Sequence, residues 1–314
     1  MGRGGGSPAI LLVVLLVVAG VCNGQLQVGF YSKSCPAAES TVASVVRQAA
    51  AADNTILPAL VRLQFHDCFV KGCDASVLIK GGNNNAELAS RLDGTRTFML
   101  MDRVFVTGGG VCARAWVQTG GPSFDVPTGR RDGKTSNLRD ADALPDVHDS
   151  IEVLRSKFAA NGLDDKELVL LSSAHTVGTT ACFFLQDRLY NFPLPGGGRG
   201  ADPSIPESFL SELRSRCAPG DFNTRLPLDR GSENSFDTSI LRNIRNGFAV
   251  IASDAVLYNH TTTVDVVDSY STLLSTFFGP YFRQDFADAM VKMGSIAVLT
   301  GSVGEVRKVC SKFN

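Results

Sequence analysis

Apolar residues recur at helical spacing along most of the chain. Within 36–52, Val42, Val45, Val46 and Ala49 form one stripe, and Pro36 suits a first helical turn. Residues 57–61 are apolar and read as the body of a second helix, with Pro58 near its first turn; Arg62 and His66 then fall on one face, one turn apart. In 150–160, Ile151, Leu154 and Phe158 keep the same spacing and Gly162 is a stop signal. Asp164 and Glu167 stand as in a capping box, ahead of the apolar residues 168–171. Residues 211–217 and 239–248 read as further helices, and 282–296 carries Phe286, Met290 and Met293 on one stripe. Strand signals are few and short. The pattern predicts a mostly α protein whose stripes form its core.

The first residues follow a different pattern. Arg3 precedes an apolar run from Ala9 to Val21, too short to span a bilayer comfortably, and Cys22 and Gly24 are small residues at a cleavage position. The expectation is a signal peptide over 1–24 and a mature chain over 25–314. No later segment is apolar enough to cross a membrane, so the expected product is secreted and soluble. A formal net charge of −1 gives no reason to expect a nucleic-acid partner. Of the eight cysteines, Cys22 falls in the leader; Cys35, Cys68, Cys73, Cys112, Cys182, Cys217 and Cys310 remain, which suits an oxidising compartment. An odd number leaves at least one thiol without an internal partner.

The densest chemistry lies at 62–76. The permanent charge of Arg62 opposes a proton on His66 and keeps the imidazole available as a base. Asp67, Asp74 and Ser76 follow at once, and with the carbonyls of Val70 and Gly72 they offer the hard oxygen set that suits calcium. Cys68 and Cys73 bracket the same turn. A second histidine, His175, ends the apolar helix that starts at the capping box.

Arg62-Leu-Gln-Phe-His-Asp-Cys-Phe-Val-Lys-Gly-Cys-Asp-Ala-Ser76 resembles the distal haem motif of the secreted haem peroxidases of plants, the class III peroxidases. Leu170-Leu-Ser-Ser-Ala-His-Thr-Val-Gly178 resembles their proximal motif, and Gly120-Gly-Pro-Ser-Phe-Asp-Val-Pro-Thr-Gly-Arg-Arg-Asp-Gly133 a further signature between the two. The resemblance covers Gln25 to about Met101 and Gly120 to Asn314. It implies a haem peroxidase fold, with one haem b between distal and proximal helical halves, and two calcium ions. It implies His66 as acid–base catalyst, Arg62 as stabiliser of the charge developing in the transition state, and Phe65 as a wall of the distal pocket. His175 would be the axial ligand, with Asp254 accepting a hydrogen bond from its outer nitrogen. Pro145 matches the family's proline at the haem edge where aromatic donors bind. The first calcium would take Asp67, Val70, Gly72, Asp74, Ser76 and Glu87; the second Thr176, Asp229, Ser232, Ser235 and Asp237. The family's bridges imply Cys68–Cys73 and Cys182–Cys217, and pair Cys112 with either Cys310 or Cys35; the text around Cys112 favours Cys310. Asn259-His-Thr261 is a glycosylation sequon.

The implied activity is extracellular, in the cell wall or apoplast: reduction of hydrogen peroxide and one-electron oxidation of small phenolic donors by a monomer, with no membrane contact after leader cleavage. Two departures qualify it. Residues 102–119 lack the family's long helix, and its asparagine partner to the distal histidine falls on Leu92 or Asp93. The alternative reading is a secreted calcium-binding protein on a peroxidase scaffold, with weak or no catalysis because a core helix is missing.

Overall fold

The computed structural model describes residues 26–79, 121–273 and 279–314. The leader, Glu87, Leu92, Asp93, Cys112 and the departure at 102–119 lie outside the described residues. Helices dominate: α1 (Ala38–Ala52), α2 (Ile56–Phe69), α3 (Ile151–Ala160), α4 (Asp165–Ser172), α5 (Glu207–Arg216), α6 (Ser239–Arg245), the short α7 (Ala252–Ala255), α8 (Thr261–Ser271) and α9 (Phe282–Met293). Strand structure among the described residues is limited to β1 (Thr179–Ala181) paired antiparallel with β4 (Arg225–Pro227), and β2 (Phe192–Pro193) with β3 (Arg199–Gly200), besides isolated bridges.

Sequence and structure differ mainly at helix ends. α1 starts at Ala38 because Pro36 lies in a preceding turn, and Ala37 is its N-cap. α5 starts four residues earlier than the apolar pattern shows, behind Pro206. α6 stops at Arg245, where Gly247 (φ +79°) lets Phe248 N–H turn back to the Asn243 carbonyl. α9 ends at Met293, and Ile296 lies beyond it. The Asp164 capping box forms as read, its carboxylate accepting from Lys166 and Glu167 amides while Glu167 reaches back to the Asp164 N–H.

The largest apolar cluster joins α2, α3, α4, α6, α8 and α9 through Phe69, Phe158, Leu168, Ile240, Val267 and Phe286. The α1 stripe packs separately on α2, through Val42, Val46, Leu57 and Leu60. A third cluster surrounds the Cys182–Cys217 disulfide with Leu185, Leu189, Phe209 and Leu213. Each cluster removes several large side chains from water, at about 1.5–3 kcal/mol apiece, which is what fixes short helices of modest intrinsic stability. No helix among the described residues is long and apolar enough to cross a membrane.

Candidate active site

α2 carries the distal residues because its buried face, Leu60, Leu63 and Phe69, pins the helix on both sides. The i, i+4 pair then meets: Arg62 Nε donates to His66 Nε2 at 3.1 Å. Guanidinium is a donor only, so Nε2 is an acceptor and the ring is neutral with its proton on Nδ1. Phe65 stands edge-on to His66, with centroids 5.8 Å apart, and leans on Phe69, which packs on Phe158 of α3. Burial lowers the Arg62 pKa from its ordinary value, and the Arg225 charge lowers it further.

His175 arrives from the other side. α4 tightens into a 3-10 turn over Ser173–Thr176, which carries the imidazole. Nδ1 lies 2.9 Å from Asp254 Oδ1 and 3.2 Å from Oδ2, with the carboxylate buried on α7. This fixes Nδ1 as the protonated nitrogen and leaves Nε2 with its lone pair. Burial on its own would lower the His175 pKa; the charge and hydrogen bond of Asp254 outweigh it and raise the value, against a smaller opposing push from Arg62. Arg62 and His175 therefore sense each other across the interior. Gly178, three residues past His175, adopts φ +99° and packs so closely on Pro58 of α2 that a Cβ would come within 2.8 Å.

His175 is half-buried, with 38% of its side chain open to solvent, and Arg62 is exposed; the Arg62 charge is felt at His175. An imidazole with a carboxylate-held Nδ1 and a free Nε2 lone pair, together with the histidine–arginine pair on α2, has the donor chemistry that would hold a haem iron through His175.

Two oxygen-rich loops flank the histidines. Asp67, Val70, Gly72, Asp74 and Ser76 are all buried within one turn closed by the Cys68–Cys73 disulfide. Burial, then repulsion from Asp74, raises the Asp67 pKa well above normal; burial raises that of Asp74. Beside His175, Thr176 Oγ1 is 2.9 Å from Asp229 Oδ2 and 3.1 Å from the Ser235 carbonyl, while Ser232 Oγ donates to Asp237 at 2.6 Å. Burial pushes Asp229 up to about 6, with the Asp237 charge adding to it. Buried, mutually repelling oxygens fit a hard cation in each loop. No group of three or more acidic, histidine or cysteine side chains among the described residues is arranged to hold a metal ion by itself; each loop combines two carboxylates with hydroxyl and carbonyl oxygens.

The distal loop is latched from far away. Cys73 N–H bonds the Ile296 carbonyl at 3.2 Å, and Gly72 (φ +100°) lies where a Cβ would strike Ala297. Arg307 donates to the carbonyls of Ala75 at 2.6 Å and Gly133 at 2.7 Å. Sequence reading missed this arginine, because nothing local marks a residue whose partners lie in other segments. It missed Arg225 for the same reason. Pro145 is half-buried after the 3-10 turn Leu138–Ala143. His148 is exposed, and His260 caps α8. Cys35 is exposed and Cys310 half-buried, with no disulfide between them. Asn259 is exposed.

A mostly helical chain with two histidines, each set by a charged neighbour, is the arrangement of a haem-peroxidase-type fold. The sequence model described as Peroxidase matches residues 42–272. Peroxidase 43 of Arabidopsis thaliana is 48% identical over 320 residues, covering 97% of both chains. Peroxidase 13 of the same plant is 45% identical over 98% of this chain and 99% of its own. Peroxidase N1 of Nicotiana tabacum is 40% identical over 97% and 96%. The chain belongs to the peroxidase family, and is an oxidoreductase of the plant type.

Proposed function

We propose that the protein is a secreted haem peroxidase, braced by two calcium ions, that oxidises small phenolic donors in one-electron steps. The observation that carries this reading is the pairing of Arg62 with a neutral His66 on α2, together with the carboxylate-bound His175. Haem, when bound, supplies the two-electron reduction of hydrogen peroxide and the one-electron oxidations of the donor. His175 would hold it through Nε2. The chain's own residues do the rest. His66 Nε2 takes the proton from one peroxide oxygen and returns it to the departing one, which leaves as water. Arg62 stabilises the negative charge that develops as the O–O bond breaks. Asp254 keeps the His175 proton on Nδ1 and makes Nε2 a stronger donor. Phe65 screens the reacting oxygens from bulk water, and Pro145 is assigned to the donor's approach. Over one cycle, one peroxide and two phenols give two waters and two phenoxyl radicals.

Asp67, Val70, Gly72, Asp74, Ser76 and Glu87 are assigned to one calcium, and Thr176, Asp229, Ser232, Ser235 and Asp237 to the other. Asn259 is assigned as a glycan acceptor. The test is to produce the mature chain with haem and calcium, record its Soret band and assay peroxide-dependent oxidation of guaiacol. A Soret band with turnover is the expected result. Stoichiometric haem with no turnover would instead mark a calcium-binding protein on a peroxidase scaffold, and no haem uptake would remove the reading altogether.

A further inference from the structure

Asp254 holds the outer nitrogen of His175, yet α7, which carries it, is only 4 residues long. So short a helix makes too few backbone bonds to hold itself in place. Its N-cap, Ile251, supplies no side-chain cap. Even so, both carboxylate oxygens face His175 Nδ1, at 2.9 and 3.2 Å, and the Asp254 side chain is buried. The position of α7 is therefore set from outside it.

Arg188 grips the segment that leads into α7. Its Nη1 donates to the carbonyls of both Ala249 and Val250, the latter at 3.0 Å. Nε donates to Asp202 Oδ2 at 2.8 Å, and Nη2 to the Ser204 hydroxyl at 3.4 Å. Asp202 is fixed in turn: Oδ1 accepts from the Ser204 N–H at 2.9 Å, and its own N–H bonds the Arg188 carbonyl at 2.8 Å. Arg188 is 3% exposed, so these bonds form away from water. A planar fork can reach two successive carbonyls and a carboxylate at once, whereas an ammonium is a point charge without that geometry.

The arginine itself belongs to the His175 side. The chain leaving His175 runs through β1 and the 3-10 turn Cys182–Leu185 into a single π turn, Asp187–Asn191, which carries Arg188. Such turns are rare and are found mostly at functional sites. Leu185 and Leu189 bury this stretch in the apolar cluster that also takes in Val250 and Ile251. Arg188 thus ties the segment following His175 to the segment preceding Asp254.

We propose that Arg188 is a positioning residue for the Asp254–His175 pair, its fork on the Ala249 and Val250 carbonyls setting how closely the carboxylate approaches Nδ1. The inference rests on the peroxidase reading above for the use of His175 Nε2, and deepens it. A firm bond at Nδ1 makes Nε2 the stronger electron donor. Asp202 neutralises the buried guanidinium and fixes its direction.

The test uses the full mature chain before and after loading with haem and calcium. In the haem-free protein, NMR on nitrogen-labelled histidine reads the solvent exchange of the His175 Nδ1 proton. Arg188→Lys keeps a charge for Asp202 but loses the fork, and should speed this exchange about tenfold, the scale of one charge-assisted bond. Arg188→Met combined with Asp202→Leu replaces a buried ion pair by apolar groups, which folds commonly tolerate, and should speed it as much. Asp254→Asn marks the full loss. In the haem-loaded protein the same variants should lower the iron–histidine stretching frequency and raise the reduction potential, both in the direction of Asp254→Asn. Parental exchange in both Arg188 variants, whatever their melting temperatures, would overturn the proposal. Faster exchange in a chain that takes up no haem would uphold it and remove only the peroxidase reading.

Discussion

Thr176 Oγ1 lies within hydrogen-bonding distance of both Asp229 Oδ2, at 2.9 Å, and the Ser235 carbonyl, at 3.1 Å. A hydroxyl has one proton and faces two acceptors here, so three oxygens converge next to His175. Chelation of the proposed calcium at this point leaves a buried carboxylate near a second one. Treatment with a strong chelator should lower the melting temperature by several degrees and shift the Soret band, with both restored by calcium. An unchanged melting curve after verified calcium removal would refute the assignment.

His66→Leu should slow the reaction with peroxide by about 10²–10⁴-fold, the usual worth of a positioned acid–base group. Haem content should stay at the parental level, because the proposed axial ligand is His175. Arg62→Leu should slow the same step less. Stopped-flow spectra under excess peroxide measure both; a parental rate in His66→Leu would disprove the distal role.

Arg188 and Asp202 form a buried ion pair at 2.8 Å, and Arg188 also donates to the Val250 carbonyl at 3.0 Å, four residues before Asp254. Burial opposes ionisation of Asp202, yet the hydrogen bonds from Arg188 and Ser204 hold its pKa below the ordinary value. A depressed folded value means the contribution is complete above the unfolded pKa of about 3.9 and fades as pH falls through the lower folded value. Asp202→Asn should cost about 3–5 kcal/mol at pH 7, the usual penalty for stranding a buried partner. Denaturant melts should show the gap between parent and variant closing below about pH 4. A gap that stays constant down to pH 2 would contradict it.

Peptide mapping under non-reducing conditions should find Cys112 joined to Cys310 and Cys35 open to alkylation. Breaking that bridge, which closes a long loop, should cost about 2–5 kcal/mol. A labelled Cys310 with Cys35 bridged would reverse the pairing.

The helices readable in the sequence were those whose stripe matches what they bury: Phe286, Met290 and Met293 all lie inside, as do Ile151, Leu154 and Phe158. α8 escaped notice. Its opening Thr261-Thr-Thr-Val-Asp-Val-Val267 is rich in β-branched residues, which lose side-chain freedom in a helix. Capping by His260 and packing on α4 and α6 outweigh that preference. At the site, Arg62, His66, His175 and their neighbours were legible because the chemistry is concentrated in short motifs. The hold of Arg307 on the Ala75 and Gly133 carbonyls and the Arg188–Asp202 pair depend on segments that only the folded chain brings together.

The Arg307 bond to the Ala75 carbonyl spans 232 positions. In a chain emerging from the ribosome, the loop behind His66 is made early and waits for its last anchor until nearly all of the rest has been synthesised. The Cys182–Cys217 half needs only 35 positions to close. The proximal side can therefore settle while translation continues, whereas the distal side, which pays the entropy of a far longer loop, completes after it. A ribosome stalled shortly before Arg307 would hold a protein with its His175 half built and its His66 loop still unlatched.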